Sequence, residues 1–306
     1  MKAMIIRQTG GPDVFEAADL PTPTPAAGEV RVRVRAVSVN PVDYKTRQAN
    51  GFRYPFPIVL GWDVAGTVDA VGEGVTRLQP GDDVFGMVRF PQEGRAYAEF
   101  VTAPETDLAL KPPTLSFVDA AATTLAALTA QQALDHMDLR AGQSLLVHAA
   151  AGGVGHFAVQ LARARGARVI GTASGANRDF VTGLGADAFV DYTAGRFEEA
   201  VGQVDAVLDA VGGETFTRSY SVVKPGGWLV TIAASPKPEA APRTDIHTER
   251  ILVKPSYTDL EALAALYEAG QLRPHMSHTF PLDGVAEAHR LLEERHVVGK
   301  VVLEVG

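Results

Sequence analysis

HAAAGGVGHF, residues 148–157, follows the apolar run SLLV and precedes AVQLARARG, so a glycine-rich turn lies between a strand pattern and a helix pattern. The dinucleotide fingerprint is G-x-G-x-x-G. The best register here is Ala150, Gly152 and Gly155, with alanine in the first glycine place. A second apolar run, RVIGTAS at 168–174, follows about 20 residues on and completes the βαβ setting that such a loop requires. Gly152, Gly153, Val154 and Gly155 are then the candidate pyrophosphate contacts. The glycines let backbone approach the phosphates and let the helix pack closely on the sheet, while the helix N-terminus offers free N–H groups. The alternative is a plain tight β-α turn, which three glycines in four residues make the weaker reading.

Strand and helix patterns alternate after the loop. Helices are expected at about 154–165, 177–184 and near Phe197, and strands at DAFVDY, VDAVLDAV and WLVTIAAS. Such alternation is the signature of a parallel, doubly wound sheet. Before it, LSFVDAAATTLAALTAQQALDHM reads as one or two helices with Ser116 as N-cap candidate. From the start to about residue 113 the texture is different: short β-runs broken by Gly and Pro, with EVRVRVRAV at 29–37 showing the period of a half-buried strand. Further strands are expected at 64–72, 82–88 and 97–104. After Pro255 come a helix, a Pro-containing loop and a helix-plus-strand segment able to return to the first domain.

The chain has 306 residues, 46% hydrophobic and 21% charged, enough for two domains with real cores. A formal charge of -8 argues against nucleic acid or an anionic membrane as partner, since phosphate surfaces need a basic face. With no cysteine, disulfides, iron–sulfur clusters, thiolate zinc sites and cysteine nucleophiles are all excluded. MKAMIIRQTGGPDVF lacks the pattern of a signal peptide and no long uncharged apolar run occurs, so the expectation is a soluble cytoplasmic protein.

The end of the second strand of the βαβ unit selects the dinucleotide. NAD sites place an Asp or Glu there for the ribose 2′-OH. Here Thr172-Ala173-Ser174 offers no acid, whereas Ser174 can donate to a 2′-phosphate and Arg178 can neutralise it. NADPH is expected over NADH. An ordinary solvated first-turn arginine is the other reading of Arg178.

The segments AAAGGVGHFAVQLARARGARVIGTAS, VSVNPVDYKTR, LGWDVAGTVDAVGEGV, PGDDVFG and AHRLLEERHVVGKVVL resemble the zinc-independent quinone oxidoreductase group of the medium-chain dehydrogenase/reductase superfamily, over essentially the whole chain. The resemblance implies an α/β protein with a GroES-like β domain from both chain ends (1–117 and 256–306), a Rossmann domain with a doubly wound parallel sheet (118–255), and an active cleft between them. It also suggests a homodimer formed along the outer sheet edge near ILVKP at 251–255. The zinc alcohol dehydrogenases of the superfamily use a cysteine in the region matched by Asn40 to Asp43, and a Gly-His-Glu where this chain has Gly61-Trp62-Asp63. Thiolates are unavailable and the histidine is replaced, so a zinc site of that type cannot be assembled; His275 and His278 read as surface histidines in a loop. Without a Lewis acid, substrates already activated for hydride addition fit best: quinones and α,β-unsaturated carbonyls.

Each candidate residue carries an alternative. Asn40 orients the nicotinamide ribose or substrate oxygen, or is a turn asparagine. Tyr44 is the proton-donor candidate, or a packing residue; Asp43 caps the helix expected to start around Tyr44. Tyr54 forms an aromatic wall or simply packs, and Asp63 holds local backbone. Thr129 lies near the cofactor or inside a helix. Tyr192 lies near the adenosine phosphate or is an exposed strand-end aromatic. Val211, Gly212, Ala233 and Ala234 follow predicted strand ends, where open sheets bind ligands. Lys300 reaches the cofactor or is an ordinary edge-strand lysine. The leading function is an NADPH-dependent quinone or enone reductase. An NADPH-binding sensor or structural protein with little catalysis is the alternative, and a zinc alcohol dehydrogenase a weaker one.

Overall fold

The structure, a computed structural model, describes residues 1–233 and 242–306. It divides into two compact units: Met1–Leu128, Lys254–Gly270 and Pro274–Gly306 form the first, and Thr129–Val253 with Gln271–Arg273 the second.

In the first unit β1 (Lys2–Ile6), β2 (Phe15–Asp19), β3 (Glu29–Val39), α1 (Pro41–Ala49), β4 (Ile58–Val59), β5 (Asp63–Val71), β6 (Asp83–Met87), β7 (Phe100–Pro104) and β8 (Leu108–Leu110) come in chain order. Valines 30, 32 and 34 of β3 are buried while Arg31, Arg33 and Arg35 alternate outward, so one face of the strand seeds the core. Each such valine contributes about 1.5–3 kcal/mol through burial. On the outer face Arg31 and Arg33 pair with Asp69 and lie over the Phe100 ring, which covers the alkyl stems. The strand expected at 97–104 begins only at Phe100, because Tyr97 is drawn off to bond Leu60 and Met4 through its backbone.

α2 (Phe117–His136) is a single helix, and the Ser116 hydroxyl accepts the Asp119 N–H at 3.0 Å, as an N-cap does. The second unit follows: β9 (Ser144–Val147), α3 (Gly155–Ala164), β10 (Arg168–Ala173), α4 (Arg178–Gly183), β11 (Ala188–Asp191), α5 (Phe197–Val201), β12 (Val204–Asp209), α6 (Gly213–Ser219), β13 (Val223–Thr231) and β14 (His247–Arg250). Its sheet runs β11-β10-β9-β12-β13-β14 with every pair parallel. β9 is buried at every residue, since central parallel strands are covered on both faces and lose the period-2 signal. The strand expected within 251–255 ends instead at Arg250; Ile251 makes one further bond to Thr231, the last residue of β13.

The chain then returns to the first unit with α7 (Tyr257–Glu268), β15 (Met276–Pro281), α8 (Val285–Glu293) and β16 (Lys300–Glu304). β16 pairs antiparallel with β3, Val301 opposite Val39 and Glu304 opposite Ala36, so the C-terminal strand completes a sheet begun by the N-terminal segment. β15 adds to it on the other side in parallel. His278 therefore lies on a strand rather than in a loop, though both it and His275 are exposed. No helix among the described residues is long and apolar enough to cross a membrane.

Candidate functional site

The glycine loop joins β9 to α3 at the C-terminal end of the parallel strands. Its strained residue is Ala149, at φ 53°, and not Ala150 in the vacant glycine place. A left-handed alanine costs about 1–3 kcal/mol, held here by the Ala149 carbonyl accepting the Gly152 N–H at 2.9 Å. The same carbonyl lies 2.1 Å from where a Cβ on Gly155 would be, so only glycine permits this turn into α3. The loop thus has the backbone approach that a pyrophosphate needs.

Two buried polar groups fix the strand ends around it. His148 bonds the Thr172 hydroxyl through Nδ1 and the Ser219 hydroxyl through Nε2, both at 3.0 Å. Asp209 accepts the Val211 and Gly212 N–H groups and the Thr231 hydroxyl, whose oxygen in turn accepts the Ala233 N–H at 3.1 Å. The turns after β12 and β13 are thereby tied together; Val211 itself is exposed, and Ala234 lies outside the described residues.

At the end of β10, Ser174 accepts from the Asn177 amide at 3.2 Å, and the Arg178 guanidinium lies over the Phe189 ring at 4.6 Å. The end of β10 itself carries no acid, but a carboxylate reaches the same corner from the neighbouring strand. Parallel pairing sets Asp191, the last residue of β11, opposite Ala173, and its Oδ2 is 2.4 Å from where a Cβ on Gly175 would stand. Tyr192 beside it is largely exposed, while Thr129 is buried inside α2.

In the first unit, the segments matched to the absent metal ligands converge on a buried polar network. Asp63 accepts from the Ser38 hydroxyl and the Asn40 amide, both at 2.7 Å, and from the Leu125 N–H at 2.9 Å. Lys300 donates to Asn40 Oδ1 at 2.5 Å, with its ammonium 3.9 Å from Asp63. β16 lies between β15 and β3, so Lys300 is an interior residue and the edge-strand reading fails. Burial pushes its pKa down, opposed by the carboxylates of Asp63 and Asp43. Asn40 caps α1, which starts at Pro41 rather than around Tyr44, and Asp43 accepts the Asn40 N–H at 2.6 Å. Tyr44 is buried on α1.

The remaining Asp43 oxygen is explained by donor logic. Arg47 can only donate, so Nδ1 of His289 accepts from it at 3.1 Å. The His289 proton then sits on Nε2 and is given to the Tyr97 phenol oxygen at 3.1 Å. The phenol then faces Asp43, whose Oδ1 has no other partner to share a proton with. Arg47 also donates to Gly10 and pairs with Glu293, which satisfies a fully buried guanidinium. Trp62, also buried, donates to Gln92, and the Tyr54 phenol donates to Pro91 while its ring stacks on Phe52. Among the described residues no group of three or more His, Cys, Asp or Glu side chains is placed to hold a metal ion.

This burial predicts a pH profile. Burial holds His148 at about 4 and His289 at about 3, so both stay neutral when folded, whereas Asp43 is pushed up to about 7 by burial and keeps its proton. At about pH 5 to 5.5 the unfolded chain binds close to two protons at these histidines and almost none at Asp43, while the folded chain binds about one, at Asp43. The net difference is one proton. Stability from these groups therefore rises with pH by about 1.4 kcal/mol per unit there, and is lost on acidification. Asp43→Asn, which keeps an acceptor for Asn40, is expected to double that slope. Urea midpoints measured across this range check it, and an unchanged slope would remove Asp43 as the opposing group.

Fold and loop together define a dinucleotide-binding protein of the dehydrogenase type. The family described as "Alcohol dehydrogenase GroES-like domain" matches residues 26–113, and "Zinc-binding dehydrogenase" matches 184–303. The chain is 35% identical to the chloroplastic NADPH-dependent alkenal/one oxidoreductase of Arabidopsis thaliana, over 99% of this chain and 79% of that protein. The quinone oxidoreductase structure from Coxiella burnetii is 37% identical, with TM-score 0.96 over 100% of this chain and 99% of that one. The Escherichia coli quinone oxidoreductase complexed with NADPH is 26% identical, with TM-score 0.90 over 99% and 100%. The chain belongs to the zinc-independent quinone oxidoreductase group of the medium-chain dehydrogenase/reductase superfamily.

The sequence reading missed Arg47, Tyr97 and His289. Their partners lie across more than a hundred residues of chain or on other elements, so no local spacing signals them. Asp191 had a signal: it ends a strand next in the sheet to the one ending at Ser174.

Proposed function

We propose that this chain is an NADPH-dependent oxidoreductase that reduces quinones or α,β-unsaturated carbonyls without a metal. The observation that carries the reading is the glycine loop with Ser174 and Arg178 at the adjoining strand end, in a chain 35% identical to an alkenal/one oxidoreductase. Bound NADPH supplies the hydride.

The chain's own residues do the rest. Gly152, Gly153, Val154 and Gly155 present backbone to the pyrophosphate. Ser174 accepts from Asn177 and keeps its own proton to donate to the 2′-phosphate, which Arg178 neutralises. Tyr192, Val211, Ala233 and Thr129 belong to the same cofactor surface. Asn40 acts by position, because its carboxamide is engaged by Asp63 and Lys300. Lys300 brings positive charge to the nicotinamide side, and Tyr44 gives the proton to the developing oxyanion. Cytoplasmic residence and a homodimer belong to the same reading, the homodimer resting on the family resemblance.

The test is a screen of the purified protein with NADPH against quinones, enones, enals and nitroalkenes, following loss of NADPH absorbance. Turnover with quinones or enones is expected. Tight NADPH binding with no turnover across the panel would favour the sensor reading instead.

A further inference from the structure

The corner formed by β10, β11 and α4 holds a negative charge that the NADPH reading does not use. Asp191 ends β11 in register with Ala173 of β10, one residue before Ser174. Its Oδ1 accepts the Thr193 N–H at 2.9 Å and the Thr193 hydroxyl at 2.7 Å, so the carboxylate is held in place rather than swinging in solvent. The other oxygen faces Gly175 so closely that a Cβ there would collide with it, and the Gly175 backbone N–H is turned toward the carboxylate. Arg178 acts on the same carboxylate, and its guanidinium lies over Phe189, which shares a face of β11 with Asp191 by the two-residue period of a strand. These contacts keep Asp191 ionised, its pKa lowered first by the Thr193 hydroxyl.

A fixed carboxylate in this corner has two consequences. It competes with a 2′-phosphate for Arg178 and repels it, and it offers an acceptor to a free 2′-hydroxyl, the role an acidic strand end plays in NAD sites. We propose that Asp191 is a cofactor-discriminating residue that narrows the preference of this site for NADPH over NADH. The proposal rests on the NADPH reading above and adds that the preference is moderated from the neighbouring strand. Gly175 is part of the device, since any side chain there would displace the carboxylate.

The probes are 2′,5′-ADP and 5′-ADP, which carry the adenosine end of each cofactor without the nicotinamide, titrated calorimetrically into the full chain. Asp191→Asn is expected to raise the preference for 2′,5′-ADP over 5′-ADP by about tenfold. Asp191→Ser, which keeps an oxygen acceptor for Gly175 but no charge, is expected to move it the same way, with an unchanged melting temperature showing that the fold is intact. A shift above threefold in that direction in either folded variant supports the proposal; a smaller or opposite shift in both overturns it. If the parent chain binds neither probe, the cofactor reading itself falls and the proposal with it. If the parent binds 2′,5′-ADP and the preference does not move, only the role of Asp191 falls.

Discussion

Asp63→Ala is expected to cost the folded protein about 3–5 kcal/mol, because it removes one half of a buried charge pair and leaves the other. Asp63 is fully buried, and three donors converge on it: the Ser38 hydroxyl, the Asn40 amide and the Leu125 N–H. The Lys300 ammonium, equally enclosed, stands 3.9 Å away. Without the carboxylate, Lys300 keeps Asn40 Oδ1 and the more distant Asp43, while the Ser38 hydroxyl, the Asn40 amide and the Leu125 N–H each lose the bond to Asp63. Urea denaturation near neutral pH measures the loss. Asp63→Asn, which retains an oxygen acceptor, should lose less, and adding Lys300→Met to Asp63→Ala should lose less than the sum of the single changes, since no unpaired charge remains. A loss below about 1 kcal/mol for Asp63→Ala would mean that the pair behaves as a solvated one.

Arg178→Ala is expected to weaken NADPH binding by about 10- to 100-fold and leave NADH nearly unchanged. A charge-assisted hydrogen bond to a phosphate contributes about 1.5–3 kcal/mol, and every 1.4 kcal/mol or so is a factor of ten. The guanidinium is already stationed over the Phe189 ring, so little side-chain entropy is lost when it meets a ligand. Fluorescence titration of both cofactors measures the effect. Equal weakening of the two would sink the 2′-phosphate assignment, because NADH has nothing at that position for the arginine to meet. Arg178 and Asp191 act on one corner with opposite sign, so the two sets of variants test a single electrostatic balance from both sides.

The parts legible in the sequence were those set by short-range chemistry. The glycine loop was legible because backbone approach and a close helix-strand turn demand glycine at fixed spacing, and the carbonyl of Ala149 against Gly155 shows that demand directly. β3 was legible because a half-buried strand alternates, and the closing strand because its apolar run had to find a sheet. β15 was not, since HMSHTF is polar on a half-exposed edge and carries no period. The start of α1 was placed late, because Asn40 and Pro41 were weighed as a turn although proline suits the first residue of a helix.

Residue type and spacing along the chain limit the class of chemistry available: a dinucleotide loop, no thiolate, and tryptophan and aspartate in the places where the zinc enzymes of the superfamily keep ligands. Local spacing and residue type suffice for that, because turns, caps and ligand chemistry are short-range. Which charges share a site depends on how distant segments fold together. Lys300 meets Asn40 and Asp63 from the far end of the chain, and Asp191 joins Arg178 through strand pairing. Charges interact through space rather than along the chain, and desolvation by the fold around them turns such encounters into the forces that set pKa, stability and cofactor preference.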